Sequence, residues 1–279
     1  MSNHSAPFME ARLWFANSYA EAAGRFLIAC SDLQDAGHII ENERLEIGFT
    51  GPEGEPLCID VAVVGSLESG KAILCSSGVH GVEGYPGSAI QLAIMDDLAK
   101  GEVFEDHAVI FVHIVNPHGM AWWRRFNENN VDLNRNFLAA GQTYSGVPEG
   151  YENVREFINP QSPPPKKERW FKLKSLNLIR KYGFNNLKQW IAEGQYEFPQ
   201  AIQYGGDCLQ PGPELLLNWL DKTLQSISQI WAIDIHTGLG PSGFDTLLVS
   251  AGISADKFDH LDKLFPGHVE SLDPNAGVG

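Results

Sequence analysis

The chain has few cysteines, and none stand close together. Cys30, Cys58, Cys75 and Cys208 are its only four, with no Cys-x-x-Cys arrangement, which excludes thiolate zinc clusters and dithiol redox motifs. Positive charge is also scarce. Twenty Lys and Arg stand against 35 Asp and Glu, for a net charge of −15. Such a balance repels phosphate backbones and anionic bilayers, so neither nucleic acid nor membrane is expected as a partner. Long apolar runs are missing, and no stretch has the length needed to span a bilayer. The first residues, Met1 to Pro7, lack the basic and apolar regions of a signal peptide. These absences favour a cytoplasmic placement with reduced thiols. There is no internal repeat, and the only low-complexity tract is Pro163-Pro-Pro165.

What the chain does have is enough apolar substance for a core: 43% of 279 residues. That suits one α/β domain over residues 1–279. Leu13, Phe15, Tyr19, Ala22, Phe26 and Leu27 recur near helical spacing and predict a helix from Phe8 to about Asp35. Two alternating runs, Leu45–Phe49 and Leu57–Val63, flank the turn chemistry of Gly51-Pro-Glu-Gly-Glu-Pro56 and predict a β-hairpin. The apolar runs Ala72–Cys75, Ala108–Val115 and Trp231–Ile235 read as buried strands, with a helix over Ala89–Leu98 between the first two. Strand, helix and strand at this spacing form a βαβ unit. Residues 147–165 read as a Pro-rich loop, and 166–181 as a basic amphipathic helix: either a docking face for a membrane surface or an acidic partner, or, more simply, a solvated helix covering the sheet or the edge of a site. The segment 147–205 reads as an insertion. Further helical pattern spans 186–192 and 214–224.

In a parallel sheet, ligands gather at the carboxyl ends of strands. Three such ends carry chemistry here. The first is Ser76-Ser-Gly-Val-His-Gly-Val-Glu-Gly84, which places His80 and Glu83 in a glycine-rich strand-to-helix turn. The second is Asp234-Ile-His236. Two imidazoles and one carboxylate suit a catalytic zinc with one open position. The spacing His-x-x-Glu alone is weak, since His38-Ile-Ile-Glu41 has it too. That pair follows a helix end with no glycine turn and reads as structural. Strand alternation puts Asp234 on the same side as His236. It is either a carboxylate that orients the imidazole or a buried Asp satisfied by backbone. A third strand end opens Asn116-Pro-His-Gly119, followed by Trp122, Trp123, Arg124 and Arg125, then Val131-Asp-Leu-Asn-Arg-Asn-Phe137. Its arginines either grip a substrate carboxylate or pair with Glu128 and Asp132.

Together these motifs resemble the zinc carboxypeptidase (M14) superfamily, and within it the DUF2817 branch. His80-Gly-Val-Glu83 and His236 match its zinc-ligand pattern. Asn116-Pro-His-Gly119 is similar to its Asn-Pro-Asp-Gly turn, and Val131–Phe137 to its Asn-Arg segment. Gly194-Gln-Tyr196 and Tyr204-Gly-Gly206 with Glu214 resemble the region ahead of the last zinc strand. The resemblance implies an α/β fold with a mixed, largely parallel central sheet flanked by helices, plus an N-terminal helix and hairpin. It implies one zinc per chain held by His80, Glu83 and His236. It further implies a substrate carboxylate bound by Asn134 and Arg135, with Arg124 or Arg125 polarising the scissile carbonyl. The implied activity is zinc-dependent hydrolysis of a peptide, or of an N-acyl amino acid as in aspartoacylase-type deacylases. A non-catalytic zinc protein is the third implication. The reason is that no residue matches the family's general-base glutamate, and His268-Val-Glu-Ser-Leu-Asp-Pro274, with Glu270, does not read as the buried strand that carries it. The chain is therefore expected to be incomplete at its C-terminus.

Overall fold

A computed structural model describes residues 12–102, 106–160, 170–238, 243–250 and 252–272. The chain divides into two compact units, residues 1–236 and 237–279.

The first unit is built on a five-stranded sheet, ordered β1-β2-β4-β3-β5. Its strands are β1 (Ile40–Thr50), β2 (Pro56–Val64), β3 (Lys71–Ser77), β4 (Ala108–His113) and β5 (Gln229–Ile235). β1 and β2 form the expected hairpin. β2 then pairs antiparallel with β4, while β3 runs parallel to both β4 and β5. The sheet is thus mixed, with its parallel half at the β3 side. β4 stops at His113, two residues short of its apolar run. Ile114 there adopts a left-handed backbone, φ 64°, which turns the chain so that the Val115 and Asn116 amides donate to Ser77 and Gly78 carbonyls at 2.9 Å. β5 is the terminal strand of this sheet, with Ile230 and Ile233 exposed, although its apolar run reads as a buried strand.

Helices cover the sheet. α1 (Tyr19–Asp35) begins later than its periodicity predicts, because the Ser18 hydroxyl accepts from the Glu21 amide and caps it. The part of the predicted helix before residue 12 lies outside the described residues. Phe26, Cys30 and Leu33 of α1 pack with Leu92, Met95 and Leu98 of α2 (Gly84–Ala99) and with Phe111 of β4. The Tyr19 hydroxyl closes the other end, donating to the Cys58 carbonyl at 2.9 Å and accepting from the Cys58 amide at 2.8 Å. α3 (Pro117–Ala121) follows β4. The loop segment holds three helices: α4 (Glu152–Ile158), unexpected in a Pro-rich stretch, then α5 (Phe171–Tyr182) and α6 (Phe184–Ala192). Residues 161–169, including the proline tract, lie outside the described residues. α7 (Pro211–Thr223) precedes β5.

The second unit contains β6 (Leu247–Val249), α8 (Ala255–Leu264) and β7 (Val269–Ser271). β6 and β7 pair in parallel. Glu270 lies on this three-residue strand with its side chain exposed, not on a buried one.

Candidate metal centre

The parallel pairing of β3 with β5 sets Ser76 beside Asp234 and Ser77 beside Ile235. The strands end together, and the residues just past them meet. His80 precedes a single 3-10 turn, Gly81–Glu83, that leads directly into α2. This turn needs glycine. A Cβ on Gly81 would overlap the backbone of Gly119, and one on Gly87 would meet Cβ of Ser77. Gly78 adopts φ 69°, a left-handed conformation that glycine reaches without a steric penalty.

Ring nitrogens of His80 and His236 and a carboxylate oxygen of Glu83 all lie within 4.8 Å of one another. Each imidazole turns Nδ1 toward Glu83: His80 at 2.9 Å from Oε1, and His236 at 3.3 Å from Oε2. Each turns Nε2 toward a different carboxylate. His80 Nε2 is 3.2 Å from Asp132 Oδ1, and His236 Nε2 is 2.5 Å from Asp234 Oδ2. Asp234 is held in turn by the Ser76 hydroxyl at 2.7 Å. Burial works against charge on His80, yet the bonds to Asp132 and Glu83 raise its pKa. Asp234 and then Glu83 raise that of His236 to about 9.

The sequence offers Asp132 only as a possible partner of the arginines. It is fully buried and binds three groups. Oδ1 faces His80 and also accepts the Asn134 amide at 3.0 Å, while Oδ2 accepts from Arg125 Nε at 3.2 Å. Burial alone would raise its pKa, but the His80 bond and the charges of Arg125 and Arg135 hold it below the usual carboxylate range. The motifs around Gln195 and Tyr204 support this residue. The two segments bridge each other in parallel, and the Tyr204 carbonyl accepts the Asp132 amide at 2.7 Å.

The structure separates the two neighbouring arginines. Trp123 has φ 54°, and beyond it Arg124 reaches Asn130 Oδ1 at 3.2 Å. Arg125 points to the centre, with Nη1 3.7 Å from Glu83 Oε1. Its carbonyl accepts from the Gly81 amide and from Asn116 Nδ2, so Asn116 helps fix it. Arg135 is placed otherwise than as an open fork. Its guanidinium donates to the carbonyls of Asn134, Ala192 and Glu193, at 2.9, 2.7 and 3.1 Å, tying this loop to the end of α6. Asn134 is exposed beside it. His38 is structural: Nε2 lies 2.9 Å from the Leu98 carbonyl.

Residues 15–275 match the family described as "Protein of unknown function (DUF2817)". The chain belongs to the DUF2817 family. No curated protein matches this DUF2817 chain. Among solved structures it is similar to bovine thrombin-activatable fibrinolysis inhibitor in complex with tick carboxypeptidase inhibitor, at 13% identity and TM-score 0.47, over 92% of this chain and 76% of that one. It is similar to carboxypeptidase A from Helicoverpa armigera, at 13% identity and TM-score 0.47, over 89% of this chain and 52% of that one. A third is a putative succinylglutamate desuccinylase/aspartoacylase from Shewanella frigidimarina, at 17% identity and TM-score 0.39, over 77% and 49%. The DUF2817 chain thus spans about half the length of the last two.

Proposed function

We propose that this DUF2817 chain is a zinc-dependent hydrolase of amide bonds, of the metallocarboxypeptidase kind. One observation carries the reading: two imidazoles present the same ring nitrogen to one glutamate, while separate carboxylates hold their other nitrogens. A carboxylate on the far nitrogen fixes the tautomer and strengthens the near nitrogen as a ligand, which is the hallmark of a zinc histidine. A plain structural histidine has no need of the second imidazole. The donor set of two nitrogens and one oxygen fits zinc and leaves a position open. Bound there, zinc would supply Lewis-acid chemistry.

The chain's own residues have defined parts in this reading. Asp132 and Asp234 orient the imidazoles. Arg125 places a fixed positive charge beside the ligand set, where negative charge developing on a carbonyl oxygen is balanced. Asn134 and Arg135 flank the centre on the Asp132 side, and a substrate carboxylate reaching Arg135 exchanges for backbone carbonyls. No residue is assigned as general base.

The test is cleavage of unblocked peptides and of N-acyl amino acids by zinc-loaded protein. The reading expects slow release of the C-terminal residue from peptides. Release is lost with a chelator, restored by zinc and absent in His236→Ala. Preferential hydrolysis of N-acyl amino acids would move the assignment to a deacylase. Cleavage that survives in His236→Ala, or none of either substrate by zinc-loaded protein, would contradict the reading.

A further inference from the structure

Helix α5 is anomalous in an acidic chain. Residues 171–182 include Lys172, Lys174, Arg180 and Lys181 and no acidic residue, whereas the whole chain carries −15. None of its twelve residues is buried, as a solvated helix should show.

The helix carries two apolar stripes. One meets the protein. Phe171 stacks on Phe157 of α4 at 5.2 Å, Leu178 is half-buried, and Tyr182 packs edge-on against Trp190 of α6 while its hydroxyl donates to Asn153. The other stripe is Leu173, Leu176 and Ile179, three residues apart and so adjacent along the helix. Leu173 is 56% exposed and Leu176 63%. Lys172 and Arg180 lie one turn either side of Leu176, and both are exposed, as is Lys181. Aromatic side chains mark both ends: Trp170 and Phe184 are each 64% exposed.

This second stripe is exposed, and its composition specifies an occupant. Leucines interleaved with cations whose long stems lie along an apolar boundary, and aromatic residues at the ends, are what an interfacial helix presents to lipid. Symmetric pairing with a second copy would set basic side chains against basic side chains. The net charge of the chain does not decide the matter. Salt screens charges beyond about 8–10 Å, so the charge at the contact is that of α5 and its surroundings. We propose that α5 docks this protein on an anionic lipid surface.

Co-sedimentation with vesicles tests this, comparing phosphatidylcholine alone with phosphatidylcholine mixed with phosphatidylglycerol. The proposal expects roughly tenfold more protein bound to the mixed vesicles, falling as salt is raised. The Leu173→Glu/Leu176→Glu and Lys172→Glu/Arg180→Glu variants should each lose most of that binding. Because these side chains are exposed, both variants should keep the wild-type circular dichroism and melting temperature. No binding of wild type to the mixed vesicles would overturn the proposal, as would equal binding by either folded variant. So would a wild-type dimer that the Leu173→Glu/Leu176→Glu variant dissociates, since the stripe would then be an interface between copies.

Discussion

Asp132 holds three groups at once, the His80 ring, the Arg125 guanidinium and the Asn134 amide, and so ties the candidate metal ligands to the arginine loop. If His80 is a ligand, Asp132→Asn should weaken zinc affinity by about 10–100-fold while leaving a folded protein, as competition with a chromophoric chelator would measure. Unchanged affinity would make the contact merely structural. The candidate trio was legible because His80 and His236 stand just past strand ends, and His80 and Glu83 share a glycine turn. The role of Asp132 was not, because it depends on a meeting between loops 52 residues apart in sequence. Nor could sequence separate Arg124 from Arg125. That choice follows from the left-handed backbone at Trp123, a conformation that an aromatic residue does not signal. Burial leaves its own mark on His113, whose pKa falls to about 3. The unfolded chain takes up that proton near pH 6.5, so it binds more protons between those values. Stability should therefore fall as pH drops through this window, by up to about 1.4 kcal/mol per unit. His80 and His236, with raised pKa values, contribute the opposite slope in metal-free protein. The difference between wild type and His113→Gln in how the urea-unfolding free energy changes with pH isolates the His113 contribution.

The element that matters most is the short turn between β3 and α2. Its Gly81 and Val82 amides donate to the carbonyls of Arg125 and Arg124 at 3.1 and 3.0 Å, stitching the His80–Glu83 turn to the arginine loop. Gly81→Ala should force these backbones apart, costing about 1–3 kcal/mol by urea unfolding and lowering metal affinity as His80 shifts. Wild-type stability in that variant would show that the two loops are not tightly apposed. Alternation and turn residues exposed the hairpin, and apolar runs exposed β3, β4 and β5. Their limits were less readable. The start of α1 is fixed by the Ser18 cap, and the end of β4 by strain at Ile114, and neither interrupts the apolar pattern. The solvated character of α5 was legible from its basic residues, and none of its residues is buried.

At the scale of the whole molecule, the first unit gathers the residues of the candidate centre, from Ser76 to His236, around the strand ends of one mixed sheet. Among the described residues no helix is long and apolar enough to cross a membrane. The order of motifs along the chain identified the family relationship, and the sheet topology explains why residues so distant in sequence converge. In the proposed reading, this convergence binds zinc. Elemental analysis of purified protein tests it most directly, with His236→Ala in parallel and circular dichroism to confirm that both are folded. About one zinc per chain is expected in wild type, removable by chelator, and almost none in the variant. Folded wild-type protein without zinc, after exposure to zinc and removal of the excess, would contradict it.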